Sequence, residues 1–511
     1  MSTASRIIKN TGFLYFRIAI TMIVALWTTR IILHALGEDD FGVYSLVGGM
    51  VTLLGFLNAS LAGATQRFIN FYSGKEDLDR KIIIFNNSLT LHSILAVGLI
   101  ILLAIVGAIA FEYIIEIPPT SYLAAKCVYA CMIVTTVISV LNVPYEAEIN
   151  AHEDMGVYAV VGIIDASFKI AIAFIIKYTE HHKLILYGLL MTFVPIITLI
   201  VLRVYCHKNY EECTIHPKRY YRKDIIKKLS GFAGWNFVNT ASSVIVQSGL
   251  NLVINHFFGI LLNAAQGITN QVGNALMNLS SNVEKALNPV IVKKEGANQR
   301  DGMLYVSLLG CRMTFFIFSF FSIFIITEMS PILHLWLKTV PAWTVIFCQL
   351  QLIRVALELL TRGVHMAIMA QGDIKYYSIC KSITNILPLV LTIWVFSIGM
   401  PPYWMYIMWI IAWSILGGMV SLWFGQRNIG LSYHTYYKEV LSPSIKSIVP
   451  PICLAILGKI FFHQLKIEIF TSCIALLLYA LLSYRFLFTI NERIELKRIF
   501  DKFLVKIKIS K

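Results

Sequence analysis

Long apolar stretches follow one another from residue 11 to residue 486, with mostly short polar connections between them, and no other feature restricts the fold as much. They lie near 11–36, 41–63, 83–109, 121–143, 155–176, 184–204, 231–257, 261–286, 303–326, 341–360, 376–396, 402–424, 448–462 and 467–486. Most reach the roughly 17–25 residues that carry a helix across a hydrocarbon core. No water satisfies a bare peptide group inside a bilayer, so such a segment crosses as a helix with its hydrogen bonds internal. Charged residues make up only 14% of the chain and hydrophobic ones 57%. Soluble domains carry roughly 25% charged residues. No water-soluble core of this size hides so much apolar side chain, and the mean hydropathy of +0.72 says the same. The predicted fold is all-α and integral to the membrane, with about fourteen transmembrane helices.

The net charge of +15 would point to nucleic acid in a soluble protein. Here the cations sit in the connections, where they set topology instead, and no nucleic-acid partner is expected. Lys75, Arg80 and Lys81, the run from Lys208 to Lys228, then Lys293, Lys294 and Arg300, Arg362 and Lys375, and Arg427, Lys438 and Lys446 all follow even-numbered spans. Arg6 and Lys9, and the basic tail, fall on the same side, which places both termini in the cytoplasm. One connection departs from this pattern. Between Asn142 and Met155 stand Glu146, Glu148, Glu153 and Asp154 with no Lys or Arg. Acidic residues weigh little in the rule, so the topology is unchanged.

The strongly basic stretch 206–230 divides six spans from eight. Gly12 and Gly234, Gly37 and Gly259, and Gly74 and Gly296 share one offset (234 − 12 = 259 − 37 = 296 − 74 = 222) and equivalent places in their spans. Two pseudo-symmetric six-helix bundles are therefore expected, an architecture that transporters use with the substrate held between halves. The predicted organisation is an N-terminal lobe 1–205, a basic cytoplasmic linker 206–230, a C-terminal lobe 231–428, two further helices in 429–487, and a basic cytoplasmic tail 488–511 suited to anionic lipid.

Ionisable groups inside apolar spans are costly and by default face a cavity or a partner. Arg17 and Arg30 lie in the first span, Asp165 and Lys169 four apart in the fifth, Arg312 in the ninth, and Arg354 and Glu358 four apart in the tenth. Each i,i+4 pair reads either as a self-neutralising lock between helices or as part of an anion site. Arg30 either snorkels to the outer interface or joins that site. Arginine's planar fork suits a diphosphate, and Asp165 and Glu358 are the candidates for ion coupling. The seventh and eighth spans carry amide stripes. Asn236, Thr240, Ser243, Gln247, Asn251 and Asn255 recur along one, and Gln266, Asn270, Asn274, Asn278 and Asn282 along the other. Interhelical hydrogen bonding explains one or two such residues; two full-length stripes suit a hydrated groove for sugar hydroxyls. Asn239, Gln247, Asn251, Gln266, Asn270 and Asn274 join the four arginines and Lys169 as candidate substrate contacts.

Signals for chemistry are missing. The sequence has no GxxxxGK[ST] phosphate loop, no HExxH and no paired CxxC. Cys127 and Cys131 stack on one helix face without a histidine to complete a metal site. Neither catalysis, a cofactor nor a metal is expected.

The segments Arg6-Ile-Ile-Lys-Asn-Thr-Gly12, Thr29-Arg30-Ile-Ile-Leu, Leu36-Gly37, Asp40-Phe-Gly-Val-Tyr44 and Gln66-Arg67-Phe68 resemble the polysaccharide-biosynthesis flippases of the MATE-like MOP superfamily. Gly234-Trp235-Asn236, Asn255-His-Phe-Phe-Gly259, Asn263-Ala-Ala-Gln-Gly267 and Ala286-Leu-Asn-Pro289 resemble its O-antigen and capsule branch. The resemblance implies a central cationic cavity and alternating access without ATP in a bacterial inner-membrane protein. It also implies an undecaprenyl-diphosphate-linked sugar repeat as substrate, moved to the outer leaflet for O-antigen, capsule or exopolysaccharide synthesis. Arg17 and Arg30 match first-helix arginines of such flippases. The expected partners are the lipid-linked oligosaccharide, membrane lipids, a polysaccharide polymerase and glycosyltransferases, around a monomer. Rival readings are a small-molecule exporter of the same superfamily and, in another class, a membrane polymerase or glycosyltransferase.

Overall fold

The computed structural model describes residues 3–52, 55–113, 121–337, 339–462, 465–490 and 492–494. Among them every regular element is helical. The chain runs through α1 (Thr3–Thr52), α2 (Gly55–Gly74), α3 (Leu78–Tyr113), α4 (Tyr122–Ala151), α5 (Met155–Tyr178), α6 (Lys183–Asn209) and the single turn α7 (Pro217–Tyr220). It continues through α8 (Lys223–Phe258), α9 (Ile260–Gly296), α10 (Arg300–Thr327), α11 (Met329–Leu337), α12 (Thr344–Leu359), α13 (Arg362–Gln371) and α14 (Lys375–Ser397). Three further apolar rods follow, α15 (Trp404–Ile429), α16 (Tyr433–Phe461) and α17 (Leu465–Phe486).

Eleven of the described helices are long and apolar enough to cross a membrane, and twelve if α12 and α13, bent by 44°, form one broken span. The two other predicted spans have identifiable reasons to fall short. The stretch 41–63 includes Leu53 and Leu54, outside the described residues. The stretch 261–286 is helical within α9, but its asparagines and glutamines leave it less apolar than the other spans. The apolar faces of these helices are largely uncovered by protein. In the most apolar window of α3, of mean hydropathy 3.1, only 33% of residues are buried. A surface of that kind is stable only against lipid.

The repeat predicted from glycine spacing is present in the backbone. Gly37 breaks α1 at φ 82°, ψ 172°, and Gly259 separates α8 from α9 at φ 79°, ψ 179°. Only glycine enters that region without strain. Gly74 and Gly296 end α2 and α9. Just beyond them Glu76 and Asn298 are both left-handed, at φ 55° and 57°. The helices that follow, α3 and α10, begin at the same offset (300 − 78 = 222), as do α4 and α12 (344 − 122 = 222).

Packing divides the chain into a unit of residues Asn10–Phe237 and a unit of Met1–Lys9 with Val238–Lys511. The first unit contains a docked basic segment. The Asn86 amide donates to the Thr214 carbonyl (2.8 Å) and accepts from the His216 N–H (2.8 Å). Asn87 does the same for Tyr220 (2.8 Å) and Arg222 (3.0 Å). Two buried carboxamides on α3 thus satisfy the backbone of the stretch predicted as a linker. The acidic stretch 142–155, predicted as a connection, is instead helical in α4 as far as Ala151, and the turn that follows it finds partners here. Asp154 accepts from the Tyr205 hydroxyl at 2.6 Å, and Glu212 contacts His152 (2.8 Å) and the Lys81 ammonium. Burial alone would raise the Glu212 pKa, but these donors outweigh it and hold the carboxyl at about 2.

In the second unit Val246, Leu250 and Ile254 of α8 pack with Ala265 of α9, Phe347 of α12, Phe396 of α14, and Tyr406 and Trp409 of α15. The helices α10 and α13 cross so closely that a Cβ on Gly363 would stand 1.9 Å from the Ser307 carbonyl oxygen. Helix α10 is tied to the end of the chain as well. The buried Arg312 donates to the Leu487 carbonyl (3.0 Å) and the Glu492 carboxylate (2.9 Å). The tail 495–511 lies outside the described residues.

Candidate functional site

The amide stripes and the tenth-span charge pair meet at one cavity of about 190 Å³ within the second unit. Ser243 and Gln247 come from α8, Gly273, Asn274 and Met277 from α9, and Gln351, Arg354, Val355 and Glu358 from α12. Trp409 and Trp413 of α15 complete the wall. Helical spacing explains the convergence: Ser243 and Gln247 are four apart, as are Arg354 and Glu358, so each pair presents to one side of its rod. Gly273 lets Gln351 come close, since a Cβ there would lie 3.1 Å from that side chain. The α15 backbone widens into a π-helical turn at Ile410–Leu416. That turn carries Trp413, and its Ser414 hydroxyl donates to the Arg354 carbonyl at 2.9 Å. Such turns are frequent at functional sites.

Arg354 is held from three directions. Its Nε donates to Gln351 (2.9 Å), Nη1 donates to Glu358 (3.0 Å), and the guanidinium lies 4.5 Å from the Trp409 ring centroid. Glu358 is shared with Arg362 at 3.6 Å, and Arg362 is paired in turn with Glu284 at 3.0 Å. Lys381 acts electrostatically on the same carboxylate. This cluster carries three cations against two carboxylates and has one net positive charge. A fixed guanidinium against two tryptophan rings, with neutral amides on the same cavity wall, can bind an anion and hydroxyl-bearing rings together.

The other predicted contacts are dispersed. Asn239 accepts from the Asn385 amide (3.0 Å), tying α8 to α14. Gln266 is buried and accepts from the Tyr406 hydroxyl. Asn251 and Asn270 are half-buried, each with an amide oxygen that has no hydrogen-bond partner. Arg312 does not line this cavity; it donates to the Leu487 carbonyl and the Glu492 carboxylate and serves as a tie between segments. In the first unit Arg17 lies 4.3 Å from the Tyr158 ring centroid and has a buried Nε without a partner. Arg30 is exposed. Lys169 and Asp165 bridge each other at 2.7 Å along α5, the self-neutralising alternative. Of the predicted residues, Gln247, Asn274, Arg354 and Glu358 share the cavity. Sequence reasoning missed Gln351, Trp409 and Trp413. The i,i+4 spacing of the two tryptophans in an apolar span was the available signal.

No protein-family model and no curated protein matches the sequence. Solved structures do match. A MATE protein in complex with MaD3S aligns at TM-score 0.72 with 14% identity, over 84% of this chain and 96% of that one. An outward-facing multidrug-resistance MATE family transporter of the MOP superfamily aligns at TM-score 0.71 with 15% identity, over 84% and 96%. The fold is that of the MATE-like transporters. A MOP superfamily transporter from Pyrococcus furiosus, described as having a binding pocket of reverse polarity, aligns at TM-score 0.70 with 15% identity, over 86% and 97%. At this identity the MATE likeness establishes architecture, and the substrate has to be argued from this chain's own side chains.

Proposed function

We propose that this chain is a secondary transporter for an anionic, sugar-bearing substrate, and that a diphosphate-linked oligosaccharide is the species it flips. The observation that carries this reading is the wall of the α8/α9/α12/α15 cavity. Arg354 lies against two tryptophan rings, shares the cavity wall with Gln247 and Asn274, and belongs to a cluster of net positive charge. The guanidinium offers donors to phosphate oxygens, the indoles offer flat faces to sugar rings, and the amides offer donors and acceptors to hydroxyls. The lipid moiety stays in the bilayer while the polar part crosses.

A second reading is a small-molecule exporter. It is supported by the fold shared with a multidrug-resistance transporter and by Glu358 at the cavity wall. A cationic drug gains little there, because Glu358 is already shared by Arg354 and Arg362. Reconstitution into proteoliposomes separates the readings. A fluorescent polyprenyl-diphosphate oligosaccharide is expected to exchange between leaflets, and Arg354→Ala to slow that exchange about tenfold or more. Ethidium transport without movement of the lipid-linked sugar would overturn the proposal in favour of the exporter.

A further inference from the structure

The acidic C-terminal end of α4 has no part in the proposed cavity, yet it builds a second polar cluster within the unit Asn10–Phe237. Glu148 lies one helical turn before His152, so both side chains leave α4 on one face. Glu212 comes from the segment after α6. One potential ligand atom from each of these three residues lies within 4.8 Å of the other two. Glu148 is fully buried, and neither of its carboxylate oxygens has a hydrogen-bond partner. Two carboxylates here face the single Lys81 ammonium, which sits on Glu212. A buried carboxylate left without a donor is strongly unfavourable, so Glu148 needs either a proton or a cation to neutralise it.

We propose that Glu148, His152 and Glu212 form a binding site for a divalent transition-metal ion, with Zn²⁺ as its type. Imidazole and carboxylate are the ordinary protein ligands of that class. Two donors each about 2.1 Å from one ion lie up to about 4.2 Å apart, so the three need draw together only slightly. His152 stacks on the Tyr210 ring at 3.9 Å, and this contact orients its imidazole. With 34% of its side chain exposed, His152 also marks the route by which an ion and a completing water enter. Lys81 competes for Glu212 and swings outward when the metal is present. The ion would staple the end of α4 to the basic segment that Asn86 and Asn87 hold.

The test uses full-length protein in detergent, purified without a histidine tag and stripped with a chelator. Zn²⁺ is then titrated in competition with a fluorescent chelator. The wild type is expected to take up one ion and to melt at a higher temperature with it. Glu148→Gln and His152→Gln should each weaken uptake at least about tenfold, while His181→Gln/His182→Gln, on another connection, should leave it unchanged. Lys81→Met should tighten binding by removing the competing ammonium. Should Glu148→Gln not fold, His152→Gln decides alone, because its half-exposed ring tolerates exchange. Absence of Zn²⁺ uptake by the wild type, or uptake unaffected by His152→Gln, would overturn the site and leave Glu148 neutralised by a proton. Transport of the proposed sugar substrate is read separately, so the two proposals fail independently.

Discussion

Two arginines show how alike intramembrane charges can be in sequence and how different in structure. Arg354 keeps its guanidinium at a cavity wall, over Trp409 and beside Glu358. Arg312 is sealed against Glu492, both side chains about one-twentieth exposed (5% and 6%). The partner of Arg312 is 180 residues away in sequence, so no local spacing could have revealed it, whereas Glu358 is one turn from Arg354. Substitution should separate the two. Arg312→Met strands a buried carboxylate and should cost about 3–5 kcal/mol, read as a lower melting temperature. The double variant Arg312→Met/Glu492→Leu should recover most of that loss. Arg354→Lys keeps the charge but loses the fork and the flat face on Trp409. It should weaken substrate binding while leaving melting within a few degrees, and normal binding by Arg354→Lys would show that the fork is not used.

At the level of helices, glycine carries more of the fold than any charged residue. The equivalent breaks at Gly37 and Gly259 were legible as a spacing because φ near +80° admits almost nothing else. Other features of the helices were not legible. No proline or turn motif announces the 44° bend between α12 and α13 or the π-helical turn in α15. The amide stripes were visible by period. Which amides face space was not, since Gln266 bonds Tyr406 while Asn274, on the same helix, lines the cavity. The α10–α13 crossing gives a sharp test. Gly363→Val drives side-chain atoms into the Ser307 backbone, where a carbonyl cannot rotate away. Overpacking of this kind costs about 1–3 kcal/mol or more. Reduced yield and a lower melting temperature are expected, and a Gly363→Val protein as stable as the wild type would mean that the helices do not cross so closely.

For the whole molecule, the density of apolar stretches made the all-helical membrane fold readable, and the shared architecture of MATE-like transporters agrees with it. The substrate was less readable, because the polar groups that choose it come from four separate helices. Topology supplies one further expectation. If the basic connections face the cytoplasm, a cysteine placed at Lys218 should resist an impermeant maleimide in intact cells and react in inverted vesicles. The opposite labelling pattern would reverse the orientation.

The account rests on the cavity between α8, α9, α12 and α15 being a wet site that holds substrate. A single cysteine at Asn274, in a chain whose nine native cysteines are replaced, measures this directly through its rate of reaction with a small water-soluble thiol reagent. The account expects prompt labelling that slows when a polyprenyl-diphosphate oligosaccharide is added, and that no longer slows once Arg354→Ala is present. A thiol that stays unreactive, or one whose rate ignores the lipid-linked sugar, would contradict it.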